Sequence, residues 1–385
     1  MARSVRGIEP LVAAEIQASR RGRVRGLRHR EVWFEPAGPR AGLTGLRTAD
    51  DVLLVAAVVD GVGPARAALR RLTAAARTAP APWEVPAGPG RPEGWAGIEV
   101  TASFVGRRAY TRFEIEDAVG VELARRLGVP YHSRAGGAVP PEGCLGWRVT
   151  IEGERAVIAV RVAGRPLHRR AYKTASIPGT LHPPLAAAMA ELARLGEAGT
   201  VLDPCCGAGT TLIEAAALAP RALLLGLDHD PAAIKAARTN ACRADVARVA
   251  EAGEVRGHAR HADGAEVGEV RGHAHRAEGA GFRWGVADAG RLPVAGRSVD
   301  RVLVNPPWGR QVPPGGLLAR EPDLLWREIR RVLTPGGLVV ALWHGDEPPG
   351  FETVERLTVS LSGRHPVLAV LRVRARRRAS RGRAG

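Results

Sequence analysis

The chain has 385 residues, and its 56 Arg and Lys against 39 Asp and Glu give a formal net charge of +17 at pH 7. This length predicts two or three domains, and an apolar content of 45% excludes a wholly disordered chain. Four cysteines are too few for a secreted disulfide framework, and no apolar run is long enough to span a membrane. We therefore expect a soluble, intracellular protein. We further expect it to be cytoplasmic and monomeric.

The basic excess consists almost entirely of arginine, since Lys173 and Lys235 are the only lysines. A GC-rich genome would explain the choice of arginine over lysine, but it does not explain why basic residues outnumber acidic ones. Such an excess indicates a polyanionic partner, because neutralised phosphates release their counterions. We therefore expect the protein to bind a nucleic acid.

The first 165 residues predict one or two small α+β units. An arginine cluster at 20–30 lies between a predicted helix and a predicted strand, and a Pro/Gly-rich stretch at 79–97 predicts a loop. The segment 166–183 is irregular and basic, and we interpret it as a linker. The predicted helices are 10–16 and 115–127, and the predicted strands or apolar elements are 31–34, 51–59, 98–104, 145–151 and 156–162.

From residue 184 short apolar strands alternate with helices, which predicts an α/β fold with a parallel, doubly wound sheet. The strands lack polar alternation, as expected where both faces of a sheet are buried. The predicted strands are 201–202, 223–227, 299–304 and 338–342, and the predicted helices are 210–218, 231–242 and 322–333.

A tandem duplication interrupts this pattern within residues 253–282. Its two halves, 253–267 and 268–282, are identical at 10 of 15 positions and contain four histidines: His258, His261, His273 and His275. No cysteine and no histidine pair at helical i, i+4 spacing supports a metal site there. We therefore predict no metal and interpret the duplication as a flexible polar insertion.

The strongest motif is Val-Leu-Asp-Pro-Cys-Cys-Gly-Ala-Gly-Thr at 201–210, where a strand runs into glycines and then a helix. Gly207 and Gly209 would let a ligand approach the backbone, and the following helix would present free N–H groups to it. Asp228 ends the next apolar strand, where a ribose diol would lie, and Asp288 is placed to read an adenine amino group. The third glycine of GxGxxG is missing, which argues against a dinucleotide.

A second motif, Asn-Pro-Pro-Trp-Gly at 305–309, directly follows an apolar strand. Two prolines cannot continue a strand ladder, so the chain becomes rigid at the sheet edge. The Asn305 amide oxygen and the Pro306 carbonyl could both accept hydrogen bonds from an exocyclic amino group, and Trp308 offers a face for a flipped base. Alone, this motif would also fit an ordinary Asn-Pro turn.

Residues 183–385 resemble the class I S-adenosylmethionine-dependent methyltransferases that carry an Asn-Pro-Pro-(Tyr/Trp) motif and act on amino nitrogens. Within that class, Asp-Pro-Cys-Cys-Gly-Ala-Gly-Thr followed by Leu-Ile-Glu-Ala is similar to the THUMP-containing RNA methyltransferases, which modify guanine N2. The resemblance implies S-adenosylmethionine as the cofactor and a Rossmann-like catalytic sheet. It assigns the cofactor to Asp203, Cys205, Gly207, Gly209, Asp228 and Asp288, and the target base to Asn305, Pro306 and Trp308.

The N-terminal half is similar to the same family. Gly-Ile-Glu-Pro-Leu-Val at 7–12 resembles its ferredoxin-like unit, and residues 113–172 resemble a THUMP domain and its exit. The expected domains are a ferredoxin-like unit at 1–62, an RNA-binding THUMP-like domain at 63–165 and a methyltransferase domain at 184–385. Two features depart from the family: little chain precedes residue 7 for the usual first strand, and the duplication lies inside the catalytic domain.

The resulting hypothesis is methylation of guanine N2 in tRNA. Methylation of rRNA, methylation of adenine N6 in DNA through the same loop, and a catalytically idle RNA-binding protein are the alternatives. RNA is favoured because the N-terminal half and the tail at 372–383 are rich in arginine, although that tail would equally fit a solvated end. The cysteines lie in the glycine loop and not in a Pro-Cys pair of the substrate loop, which argues against chemistry at cytosine C5.

Overall fold

A computed structural model describes residues 1–38, 40–81, 96–256, 281–307, 312–361 and 363–374. The chain forms two compact units, Met1–Arg169 and Arg170–Gly385. Most of the duplication lies outside the described residues, as do the Arg-rich tail from 375 and residue 308 of the Asn-Pro-Pro-Trp motif. In the described part of the chain, no helix is long and apolar enough to cross a bilayer.

The first unit contains one seven-stranded sheet. Its strands are β1 (Ala2–Arg3), β2 (Gly22–Arg28), β3 (Glu31–Pro36), β4 (Asp51–Val59), β5 (Gly97–Phe104), β6 (Cys144–Glu152) and β7 (Arg155–Arg161). They are ordered β2-β3-β1-β4-β7-β6-β5, and only β5 and β6 pair in parallel. Little chain was expected to be left for a first strand, and β1 has only two residues, which pair with both β3 and β4.

Three helices of the first unit bury apolar stripes against this sheet: α1 (Glu9–Ala18), α2 (Leu69–Thr78) and α3 (Arg112–Leu127). In α3, Ile115, Val119 and Leu123 recur at four-residue spacing, and all three are fully buried. The helix starts at a capping box, in which Thr111 and Glu114 bond each other's backbone N–H groups. Because β4 pairs with both β1 and β7, the regions predicted as two domains share one sheet.

The middle of the N-terminal arginine cluster, Gly22–Arg28, forms the edge strand β2, which the sequence pattern did not predict. Arg23 and Arg25 alternate with half-buried residues and are exposed. An edge strand has solvent on its unpaired side, so charged side chains fit there and discourage pairing with another chain. The half-buried positions of β2 are too weakly apolar to predict a strand from the sequence. Most of its other positions carry exposed guanidinium groups.

The second unit contains another seven-stranded sheet, ordered β10-β9-β8-β11-β12-β14-β13. Its strands are β8 (Thr200–Asp203), β9 (Leu223–Asp228), β10 (Gly281–Val286), β11 (Val299–Val304), β12 (Leu333–Trp343), β13 (Phe351–Thr358) and β14 (Val367–Val373). The strands from β10 to β12 are parallel, as predicted, whereas β14 and β13 run antiparallel and were not predicted. The α/β fold is thus confirmed with a mixed sheet.

Four helices accompany this sheet: α4 (Pro183–Leu192), α5 (Thr210–Ala215), α6 (Pro231–Arg256) and α7 (Leu324–Val332). The chain leaves β8 toward β9 and β10 and later returns on the other side of β8 to form β11. That reversal opens a crevice at the carboxyl ends of β8 and β11, which is where ligands bind in open α/β sheets. The fold thereby brings the glycine motif and the Asn-Pro-Pro motif to one edge.

Candidate active site

Asp203, the last residue of β8, is almost completely buried. Its carboxylate accepts a hydrogen bond from the backbone N–H of Cys205 at 3.0 Å and another from the hydroxyl of Thr211. Burial raises the pKa of Asp203 to about 7, because the charged form has lost its water. The residue is therefore a buried acid that joins the end of β8 to the start of α5.

We expect Asp203→Asn to change how stability depends on pH. The folded protein holds the Asp203 proton up to about pH 7, whereas an unfolded Asp loses it near 3.8, so wild-type stability should fall as pH rises through that window. The variant lacks this proton, and in the cofactor-free protein its free energy of unfolding should exceed that of wild type by on the order of 2–4 kcal/mol at about pH 8. Urea unfolding at several pH values would measure the difference, which should shrink toward about pH 4. A difference that does not vary with pH would contradict this account.

The two glycines of the motif have different tasks. Gly207 and Gly209 both adopt left-handed backbone angles, with φ of 52° and 79°. A Cβ on Gly209 would lie 2.8 Å from the ring of Trp284 and 3.1 Å from the Cβ of Ala237. Gly209 therefore lets the loop pack closely on the residues behind it, while Gly207 faces the cleft.

Asp228, at the end of β9, holds the glycine loop in place. One carboxylate oxygen accepts from the backbone N–H of Gly207 at 2.9 Å, and the other accepts from the N–H of Asp230 at 3.0 Å. The imidazole of His229 lies 3.3 Å from the same carboxylate. Since a carboxylate has about four acceptor positions, Asp228 retains capacity for a ligand in the cleft.

Asp288 follows β10, and its carboxylate accepts hydrogen bonds from two backbone N–H groups. It accepts from the backbone N–H of Gly290 and from the backbone N–H of Leu317, both at 2.8 Å. A Cβ on Gly316 would lie 2.0 Å from the Asp288 carboxylate, and Gly316 has a φ of 55°, so only glycine fits there. Asp288 thereby ties the end of β10 to the segment that follows the Asn-Pro-Pro motif.

These strand ends surround one cleft with a volume of about 1190 Å³. Of the residues assigned to cofactor and base, those that line it are Asp203, Cys205, Gly207, Asp228, Asp288, Asn305 and Pro306. Gly209 lies behind the lining, between Ala208 and Thr210, which do face the cleft. Trp308 was also assigned to the base and lies outside the described residues.

The protonation of Cys205 depends on its burial and on the three aspartates near it. Burial raises the pKa of its thiol well above the usual range, and the charges of Asp203, Asp228 and Asp288 raise it further. Burial and the nearby aspartates also raise the pKa of Cys206. Both thiols therefore stay protonated near neutral pH, which is the opposite of what a nucleophilic cysteine requires.

Residues 170–182 are here called the strap. Lys173 and residues 176–182 of the strap line the cleft, although the sequence of this segment indicates only a linker. Buried Glu214 of α5 accepts from Arg170 Nε at 2.9 Å and from the hydroxyl of Tyr172 at 2.7 Å. The sole sequence signal for this contact was a carboxylate between the apolar residues Ile213 and Ala215.

Asn240 of α6 joins the strap to the glycine loop and was also missed. Its side-chain oxygen accepts from the backbone N–H groups of Thr174 at 3.1 Å and Ala175 at 2.9 Å. Its amide nitrogen donates to the carbonyls of Ala175 and Ala208. Asn240 is fully buried, so all of these bonds form out of water and fix the strap firmly.

Comparison with known proteins finds methyltransferases, in agreement with the cofactor and base sites assigned to the cleft. The profile of the RMKL-like methyltransferase domain, UPF0020, matches residues 170–352. The tRNA (guanine(6)-N2)-methyltransferase of Thermus thermophilus is 30% identical over 287 residues, which are 72% of this chain and 73% of that protein. The U6 snRNA (guanine-N(2))-methyltransferase THUMPD2 of Bos taurus is 29% identical over 192 residues, 50% of this chain and 30% of that one.

The solved structure of TrmN from Thermus thermophilus extends the likeness to nearly the full chain. It has a TM-score of 0.69 at 28% identity and covers 97% of this chain and 98% of its own. The resemblance inferred from the glycine and Asn-Pro-Pro-Trp motifs is thus confirmed. With this similarity across both compact units, the chain belongs to the RMKL-like family of RNA methyltransferases.

Proposed function

We propose that the protein transfers a methyl group from S-adenosylmethionine to N2 of guanine in tRNA. The observation that carries this proposal is the single cleft shared by the strand-end aspartates and the Asn305-Pro306 turn. By their names, the relatives from Thermus thermophilus and Bos taurus both methylate guanine N2, in tRNA and in U6 snRNA. We further propose that the enzyme acts as a monomer in the cytoplasm.

The lining of the cleft fits the cofactor. The Thr210 hydroxyl is buried and has no hydrogen-bond partner among the described residues, so a polar group of a ligand would satisfy it. Gly207 faces the cleft without a side chain, and Asp228 keeps acceptor capacity for a ribose diol. When bound, S-adenosylmethionine supplies a methyl group on a positively charged sulfur.

The Asn305-Pro306 turn would orient the target nitrogen. An exocyclic amino group is a poor nucleophile, because its lone pair is delocalised into the base. Two acceptors, the Asn305 amide oxygen and the Pro306 carbonyl, would hold its two N–H groups and favour a more tetrahedral nitrogen. The turn follows β11 and contains two prolines, so it is rigid and places both acceptors without further ordering.

RNA binding is supported by the exposed arginines of the first unit. We expect Arg20→Glu combined with Arg23→Glu to weaken tRNA binding at least tenfold, because reversed charges repel phosphates. The slope of log affinity against log salt should become shallower by about 1.5, since each of the two lost phosphate contacts contributes about 0.7–0.9. Arg21 is left unchanged because its guanidinium packs under Gly45. Filter binding over a salt series would measure the effect, and cofactor affinity should not change. Wild-type RNA affinity in the variant would contradict an RNA-binding role for this arginine cluster.

The reaction is tested by incubating the full chain with S-adenosylmethionine and unmodified tRNA, rRNA or duplex DNA. Mass spectrometry of the digested products should find N2-methylguanosine in tRNA. The same product in rRNA alone would favour the rRNA alternative, and N6-methyladenine in DNA would replace the proposal with the DNA alternative. Cofactor binding without any methylated product would indicate an idle RNA-binding protein.

A further inference from the structure

Lys173 is held at the cleft by an anchor on either side of it in the strap. The Tyr172 hydroxyl donates to Glu214, and the backbone N–H of Thr174 donates to Asn240. These bonds position the backbone of Lys173, whose side chain lines the cleft. Its ammonium donates to the carbonyl of Leu181 at 3.4 Å, a long contact that uses one of its three protons.

The residue type at position 173 is itself unusual for this chain. All but two of the 56 basic residues are arginine, and the other lysine, Lys235, is exposed on α6. Arginine and lysine differ, because an ammonium is a compact point charge whereas a guanidinium is a larger planar fork. Lys173 therefore gives the cleft a compact point charge where this chain usually carries a planar guanidinium.

The charges of the side chains that line the cleft indicate that the Lys173 ammonium would bind an anionic group. Acidic side chains dominate its lining, and among the described residues that face it only Lys173 and Arg364 carry permanent positive charge. Burial lowers the pKa of the Lys173 ammonium, and an anion bound beside it would counter that effect. An anionic group that enters this acidic cleft would therefore be drawn to one of these two cations.

We propose that Lys173 is a binding residue whose ammonium holds an anionic oxygen of a bound substrate. The favoured source is the methionine carboxylate of the cofactor, because Asn240 binds both the strap beside Lys173 and the Ala208 carbonyl of the glycine loop. A phosphate of the target nucleotide would present the same chemistry. The inference rests on the proposed function of the cleft.

Calorimetry with two ligands separates these sources. S-adenosylhomocysteine has the amino-acid carboxylate, and methylthioadenosine shares its adenosine part but lacks the amino-acid end. We expect Lys173→Met in the full chain to weaken S-adenosylhomocysteine binding at least tenfold while methylthioadenosine binding stays within twofold. Lys173→Arg should recover part of the loss, and Lys235→Met, the matched control, should change neither ligand.

Unchanged S-adenosylhomocysteine affinity with an at least tenfold higher KM for tRNA would assign the anion to a phosphate. If Lys173→Met matches Lys235→Met in cofactor affinity and in KM for tRNA, the proposal is overturned. Should the Met variant fail to fold, Lys173→Gln carries the same test, because its amide is polar but carries no charge. Failure of the wild-type chain to bind S-adenosylhomocysteine would instead overturn the cofactor cleft itself.

Discussion

Asn305→Ala should lower the rate of methyl transfer by at least about 100-fold, a typical loss when one preorganised hydrogen-bonding group is removed from a reacting centre. Asn305 follows β11 and lines the cleft beside Pro306, so the variant removes one of the two acceptors proposed to hold the target amino group. Single-turnover rates with saturating tRNA would measure this loss directly.

Cofactor and RNA affinity should stay within a few-fold of wild type in the same variant, because one neutral hydrogen bond to the target base contributes little beside the phosphate contacts that hold an RNA. Asn305→Asp is the matched control, since it keeps an acceptor of the same size and should retain more activity than the alanine variant. If Asn305→Ala transferred methyl groups at the wild-type rate, the proposed role of this turn would be wrong.

Asp228→Ala should weaken S-adenosylhomocysteine binding by about 10- to 100-fold, the equivalent of about 1–3 kcal/mol for polar groups left unpaired. The loss has two sources. A ribose diol would lose its acceptor, and the backbone N–H groups of Gly207 and Asp230 would lose the carboxylate that now orients them. Calorimetry at fixed pH would give the affinity.

Asp230→Ala is a suitable control for this variant. Asp230 lies two residues away at the same rim, and its carboxylate accepts from the N–H of Ala232 without contacting the glycine loop in any described bond. We expect that control to bind the cofactor within a few-fold of wild type. Undiminished binding by Asp228→Ala would show that the ribose lies elsewhere in the cleft.

The residues at the strand ends were predictable from the sequence because their pattern is local. An apolar run that stops at Asp203, Asp228 or Asn305 marks the carboxyl end of a buried strand, and parallel strands place those ends at one edge. The same logic predicted β8, β9, β11 and the helices between them. Short-range pattern and the geometry of parallel sheets were therefore enough to gather these residues.

Contacts between distant parts of the chain were not predictable in this way. The strap has no periodic pattern, yet Glu214 and Asn240 bind it from 42 and 66 residues away. The hydrogen bond from the Leu317 backbone N–H to Asp288 joins residues 29 positions apart, and the sequence near either residue does not predict it. Such bonds depend on which surfaces meet after folding, so a sequence pattern read over a few residues does not contain them.

Thus the sequence by itself determined the α/β class of the second unit, the edge where ligands bind and the family resemblance. The tertiary structure decided that β1 enters the first sheet with two residues, that β14 and β13 close the second sheet in antiparallel order, and that a basic connecting segment becomes a wall of the cleft. The physical reason is the same in each case. Strand pairing and buried hydrogen bonds depend on packing between distant parts of the chain, whereas strand ends and glycine turns depend on a few consecutive residues.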